Sequence, residues 1–215
     1  MKLRIATSLF CTLAAAFFGA PAYAQSAIAN PAYVGFGLGR DHASVPGLNT
    51  AINGVPVTAS GSSNAGTSVK LYGGYQFTPN WAVEVGYTRL GNHTITATAA
   101  GASGSASYDL DAFELSALGI LPVSPNFAFF GRLGATHNRM SGGSVTVNGN
   151  TATVSSDSHN AIVWGVGGEW TIKPQLGLRL EYEDFGKFTG NDVWGTGGSG
   201  AIKGQMWNLS LKYNF

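Results

Sequence analysis

Apolar and polar positions alternate with a period of two in eight separate stretches of this chain, the pattern of a β-strand with two different faces. The last stretch is the clearest. From Gln205 to Phe215, one face carries Trp207, Leu209, Leu211, Tyr213 and Phe215, and the other Met206, Asn208, Ser210, Lys212 and Asn214. The remaining predicted strands are Tyr33 to Arg40, Ser68 to Phe77, Trp81 to Arg89, Tyr108 to Leu121, Phe127 to His137, Asn160 to Ile172 and Leu176 to Asp184. Three short segments, Thr78–Pro79–Asn80, Pro122 to Asn126 and Lys173–Pro174–Gln175, read as tight turns, because proline presets the backbone and supplies no strand donor. Four long segments rich in Ser, Gly, Asn and Ala lack apolar periodicity and read as loops: 41–67, 90–107, 138–159 and 185–204. Eight strands with short turns at one end and long loops at the other predict an all-β fold: an eight-stranded antiparallel up-and-down transmembrane β-barrel.

Alternation alone does not say which face points inward. A soluble, lipocalin-like barrel would put the apolar face inside and the charges in water. Charged residues make up only 11% of the chain, against roughly 25% in soluble domains, too few to clothe such a barrel. No segment after the N-terminal run has the roughly 18 continuous apolar residues of a membrane helix. Large aromatics also sit near the strand ends: Phe77, Trp81, Phe127, Trp170 and Phe215 toward the turns, Tyr87, Trp164, Tyr182 and Trp207 toward the loops. Two such rows match the interfacial girdles of a membrane barrel.

With the apolar face in lipid, nine charges turn inward: Lys70, Glu84, Glu114, Arg132, Glu169, Arg179, Glu181, Glu183 and Lys212. They must pair with one another or with water, because an unpaired buried charge is too costly. Eight strands enclose a lumen only wide enough for side chains, so the expectation is a plugged barrel.

The N-terminus carries Lys2 and Arg4, an apolar run from Ile5 to Phe18, and Ala22–Tyr23–Ala24 before Gln25. This reads as a secretory signal peptide over residues 1–24, leaving 25–215 as the barrel. Cys11, the sole cysteine, lies in the leader, so no disulfide or thiolate metal site is expected. Removing Lys2 and Arg4 leaves ten basic and eleven acidic residues, a near-neutral balance that argues against nucleic acid as a partner.

Three stretches, KLYGGYQFTPNWAVEVGYTRLG from Lys70, FELSALGILPVSPNFAFFGRLG from Phe113 and GGEWTIKPQLGLRLEYEDF from Gly167, resemble the membrane domain of OmpA and small relatives such as OmpX. The C-terminal strand completes the resemblance. It implies an interior ion pair on Glu84 and Arg179, with further inner charges on Arg132, Glu169 and Glu181. The match departs at Leu118, where the OmpA pattern has a lysine that can switch partners; Lys70 or Lys212 would have to substitute. The family's separate peptidoglycan-binding domain does not follow, so cell-wall tethering is not implied.

Other chemistry is weakly signalled. His42, His93, His137 and His159 fall in loops or at the loop rim without ligand spacing, and solvated histidines are the expectation. His159 with Ser155, Ser156, Asp157 and Ser158 supplies hydrolase residue types but no geometry. The paired Glu181 and Glu183 suit a plug better than acid–base catalysis, and Gly195 to Gly200 lacks the strand–helix setting of a phosphate loop. The chain thus reads as a non-enzymatic outer-membrane protein of a Gram-negative bacterium, without cofactor. Its expected partners are outer-membrane lipid and lipopolysaccharide, the barrel-assembly machinery through Trp207, Leu209, Leu211, Tyr213 and Phe215, and host surfaces or phage through the loops. Its expected work is structural. A narrow porin is the alternative, and a lipid A-modifying enzyme a third reading.

Overall fold

The structure is a computed structural model that describes residues 31–44, 48–52, 55–62, 66–99, 102–141, 144–147, 150–153, 156–188 and 202–215. The predicted signal peptide, residues 1–24, lies outside them. Eight strands form the wall: β1 (Ala32–Ser44), β4 (Gly66–Thr78), β5 (Trp81–Ala99), β6 (Ala102–Ser124), β7 (Phe127–Ser141), β10 (Asp157–Lys173), β11 (Leu176–Lys187) and β12 (Lys203–Asn214). Every neighbouring pair is antiparallel, and β1 pairs with both β12 and β4, so the ring has no free edge. Along the seam Phe36 faces Leu211 and Leu38 faces Leu209. Closure lets backbone groups pair within the wall, the condition for spanning lipid with strands.

The three tight turns share a construction. Asn80 N–H donates to the Thr78 hydroxyl at 3.3 Å, and Asn126 N–H to the Ser124 hydroxyl at 3.4 Å, each across an intervening proline. The last residue of each turn then anchors the neighbouring hairpin: the carbonyls of Asn80, Asn126 and Gln175 accept from Ile120, Thr171 and Asn214 N–H at 2.8, 2.8 and 2.9 Å. The turn end of the barrel is therefore laced strand to strand.

The loop end differs from the expectation. Four further strands lie inside segments read as loops: β2 (Leu48–Ile52), β3 (Val55–Ser62), β8 (Ser144–Val147) and β9 (Asn150–Thr153). The β2–β3 hairpin pairs onto the extension of β5, and β8–β9 onto that of β6. Residues 94–99 and 102–107, expected as loop, are paired strand. The ladder is made by backbone groups, whereas periodicity is visible only where one side of a strand meets an apolar medium.

Parity assigns the faces as expected. Val83, Val85, Leu115, Leu133, Ile162, Val166, Leu180, Leu209 and Leu211 lie on the exposed exterior, while Glu84, Glu114, Arg132, Arg179 and Glu181 are buried in the lumen. Close packing inside depends on glycine at one reciprocal crossing. Tyr33 of β1 lies over Gly74 of β4, and Tyr72 of β4 over Gly35 of β1. A Cβ at either glycine would occupy the space of the facing ring.

Candidate functional site in the ion-paired lumen

The nine inward charges form one connected ladder along the barrel axis. Near its centre Arg132, on β7, donates from Nε to Glu181 Oε1 at 2.7 Å, from Nη1 to Glu114 and from Nη2 to Glu84. Toward the loops, Lys70 on β4 bonds Glu183 and lies 3.0 Å from Glu114 and 3.6 Å from Glu181. Toward the turns, Arg179 donates to Glu84 at 2.6 Å and to Glu169 at 3.1 Å, and Lys212 closes the ladder on Glu169 at 2.7 Å. The Tyr33 hydroxyl of β1 adds a bond to Glu84 at 2.7 Å. All eight wall strands thus contribute a side chain.

The Glu84–Arg179 pair implied by resemblance is present, but it is one rung of a longer network in which Arg132 holds three carboxylates. At Leu118 the chain has an apolar cluster with Tyr33, Tyr72, Ala82 and Phe130. Lys70 approaches the carboxylates from the loop side and Lys212 from the turn side, so neither occupies the Leu118 position. The Arg179 guanidinium lies 4.6 Å from the Phe130 ring and 4.8 Å from that of Tyr72, close enough for cation–π attraction. A cavity of about 160 Å³ opens below, lined in part by Gln76, Ile120, Phe130, Glu169, Arg179 and Lys212.

An apolar cap fills the lumen on the loop side. Leu90, Leu110, Met140, Val163, Phe185, Phe188, Ile202 and Met206 are buried together there. Phe188 reaches it through a bulge between Asp184 and Lys187, with Gly186 at φ 67°. Asn138 locks that bend, donating to the carbonyls of Phe185 and Lys187 at 2.7 and 2.8 Å. The inward parity of Leu110 follows from its predicted strand, but Leu90 and residue 188 fall in predicted loops, and the bulge before Phe188 carries no apolar signal.

One histidine departs from the solvated reading. A register shift between Leu90 and His93 turns His93 inward, where it is fully buried. Its Nε2 lies 2.6 Å from Asp41 Oδ2, and its ring stacks on Tyr108 at 5.6 Å. Tyr108 lies above the outward Arg89 and Asp109 pair and outside the lipid zone, and burial, reinforced by the Asp41 carboxylate, pushes its hydroxyl up to about 12. His137 is exposed and bonded to Asn160 at 2.7 Å. Ser155 lies outside the described residues; Ser156, Asp157, Ser158 and His159 follow one another on or beside β10 and are not folded together into a site. Among the described residues no group of three or more His, Cys, Asp or Glu is arranged to hold a metal.

The ring of eight strands, its apolar exterior and its ion-paired interior define a transmembrane barrel of the outer-membrane type with an occupied lumen. The chain belongs to the OmpA-like transmembrane domain family, whose pattern it matches over residues 27–207. No curated protein matches it. Among solved structures it is similar to the outer membrane protein OprG of Pseudomonas aeruginosa, with 13% identity, a TM-score of 0.65, and 86% of this chain and 96% of that one covered. Neisserial surface protein A is 16% identical, with a TM-score of 0.55 and 86% and 97% covered. The attachment invasion locus protein Ail of Yersinia pestis, solved with the heparin analogue sucrose octasulfate, is 14% identical, with a TM-score of 0.52 and 86% and 99% covered. At these identities the likeness is one of fold.

Proposed function

We propose that this protein is a closed outer-membrane scaffold that supports the envelope and makes contacts at the cell surface. The observation that carries this reading is the continuous ladder from Glu183 to Lys212, capped by packed apolar side chains. A conduction path would have to break ion pairs between buried groups, each costly to leave unpaired. Surface contact is assigned to the loop end, where strands extend past the aromatic row and carry added hairpins. Ail, of similar fold, has been seen with a heparin analogue, and polyanionic sugars are one class of surface partner to examine for this chain. Residues 1–24 would direct export, and the alternating C-terminal strand ending at Phe215 would present the assembly signal to the barrel-assembly machinery.

The test is conductance of the refolded protein in a planar bilayer, with a heat-sensitive folded band on a gel as proof of folding. Silent recordings are expected from the wild-type barrel, and raised current from Arg179→Ala, which opens two rungs of the ladder. Reproducible steps of uniform size from the wild type would replace this reading with that of a narrow porin.

A further inference from the structure

Above the loop-side aromatic row, the outward face divides into two halves by charge. Over β5, β6 and β7 the basic groups meet acids of the protein itself. Arg89 lies 3.6 Å from Asp109, Arg139 stands cross-strand from Asp111, and Asp111 accepts from the Tyr87 hydroxyl at 2.8 Å. Over β11, β12 and β1 the arrangement is different. Lys187 stands directly cross-strand from Lys203, and Arg40 cross-strand from Trp207; all three cations are exposed. Asp184, the outward acid of this half among the described residues, is engaged by Gly186 N–H at 2.8 Å and by the Gln205 amide at 3.1 Å. Among the described residues none of the three cations forms an ion pair.

Like charges placed directly opposite on a sheet repel. A third cation, Arg40, stands on the adjoining strand at the level of Trp207, four residues closer to the membrane than Lys203. We infer that Arg40, Lys187 and Lys203 form a binding site for the phosphate groups of an outer-leaflet glycolipid, the lipid A portion of lipopolysaccharide. Lysine and arginine are the phosphate-binding cations, arginine by a planar fork and lysine as a point charge. Position selects a lipid over a soluble polyanion. The three side chains point sideways from the wall, and Lys203 follows the same outward face as Trp207, four residues along β12. At about 3.4 Å per residue that is roughly 14 Å along a tilted strand. Aromatic rows mark the headgroup level, so these cations stand at and just above it. Below them Trp164, Tyr182 and Trp207 make a continuous aromatic surface, with ring centroids 5.8 and 5.2 Å apart, against which acyl chains can lie. The site does not depend on whether the lumen conducts.

The experiment titrates the refolded protein, in neutral detergent with divalent cations chelated, with diphosphoryl lipid A and with dephosphorylated lipid A. Binding is read by native mass spectrometry, and the heat-sensitive band verifies folding in every sample. Diphosphoryl lipid A is expected to bind about tenfold more tightly, the scale of one or two charge-assisted contacts. Lys187→Gln/Lys203→Gln should abolish that preference, and Arg89→Gln, on the neutralised half, should retain it. Should the double variant lose its folded band, Lys203→Gln alone serves, with a partial loss expected. Equal affinity for the two lipids, or an undiminished preference in the folded lysine variants, overturns the site. Displacement of lipid A by equimolar sucrose octasulfate would make it a polyanion site and overturn the lipid assignment.

Discussion

At the scale of single residues, Arg132 is the most exacting position in the lumen. Three carboxylates converge on its guanidinium, and its side chain is inaccessible to solvent. Removing it leaves those acids facing one another with Lys70 and Arg179 as the remaining nearby cations. Arg132→Ala is expected to cost about 3–5 kcal/mol, the usual penalty for breaking a buried ion pair by deleting one partner. Arg132→Lys should recover only part, since an ammonium lacks the planar fork that serves separate acceptors. Denaturant unfolding in detergent micelles measures both, and a loss below about 1 kcal/mol for the alanine variant would place Arg132 among weak surface-like pairs. Such pairings lay beyond the sequence. Parity identified Arg132 as inward, but its acceptors are 18, 48 and 49 residues away, so which carboxylates it meets depends on barrel register.

At the scale of the element, bulges override parity. The β11 bulge at Gly186 brings Phe188 inward beside Phe185, and the β5 irregularity after Leu90 does the same for His93. Gly186 has φ 67°, and a Cβ there would lie 3.1 Å from both the Ala161 Cβ and the Ile162 carbonyl. Gly186→Val should therefore cost about 1–3 kcal/mol through left-handed backbone strain alone. Faster amide exchange should accompany it at Phe188, whose N–H bonds the Ile202 carbonyl at 2.8 Å. Unchanged exchange at Phe188 would show that the bend does not hold the cap. In sequence, glycine at 186 is one of many glycines, and nothing in the pattern distinguishes a bulge from a loop.

At the scale of the whole molecule, orientation is decided by the medium outside. Leu209 sits mid-seam, cross-strand from Leu38 on one side and Leu180 on the other, with its side chain on the exterior. Leu209→Arg is expected to lower stability in lipid by about 2–4 kcal/mol, the cost of a basic side chain at mid-membrane depth. Reversible unfolding in bilayer vesicles would measure it, and a neutral result would mean that this face meets water. Closure adds a second constraint at this scale. One slipped residue in a strand would exchange its lipid and lumen faces; in β11 this would move Arg179, Glu181 and Glu183 into lipid at once.

The sequence by itself determined the number of wall strands, the tight turns, the lipid-facing residues and the identity of all nine inward charges. The physical reason is that a barrel wall between two contrasting media writes its geometry into the chain with a period of two. Tertiary structure alone decided three matters: which charges meet, where the ladder ends and the apolar cap begins, and how far the strands continue above the membrane. The first two follow from register and bulges among strands distant in sequence. The third follows from backbone pairing above the lipid zone, where no apolar medium lies against the wall to impose an alternating pattern on the side chains.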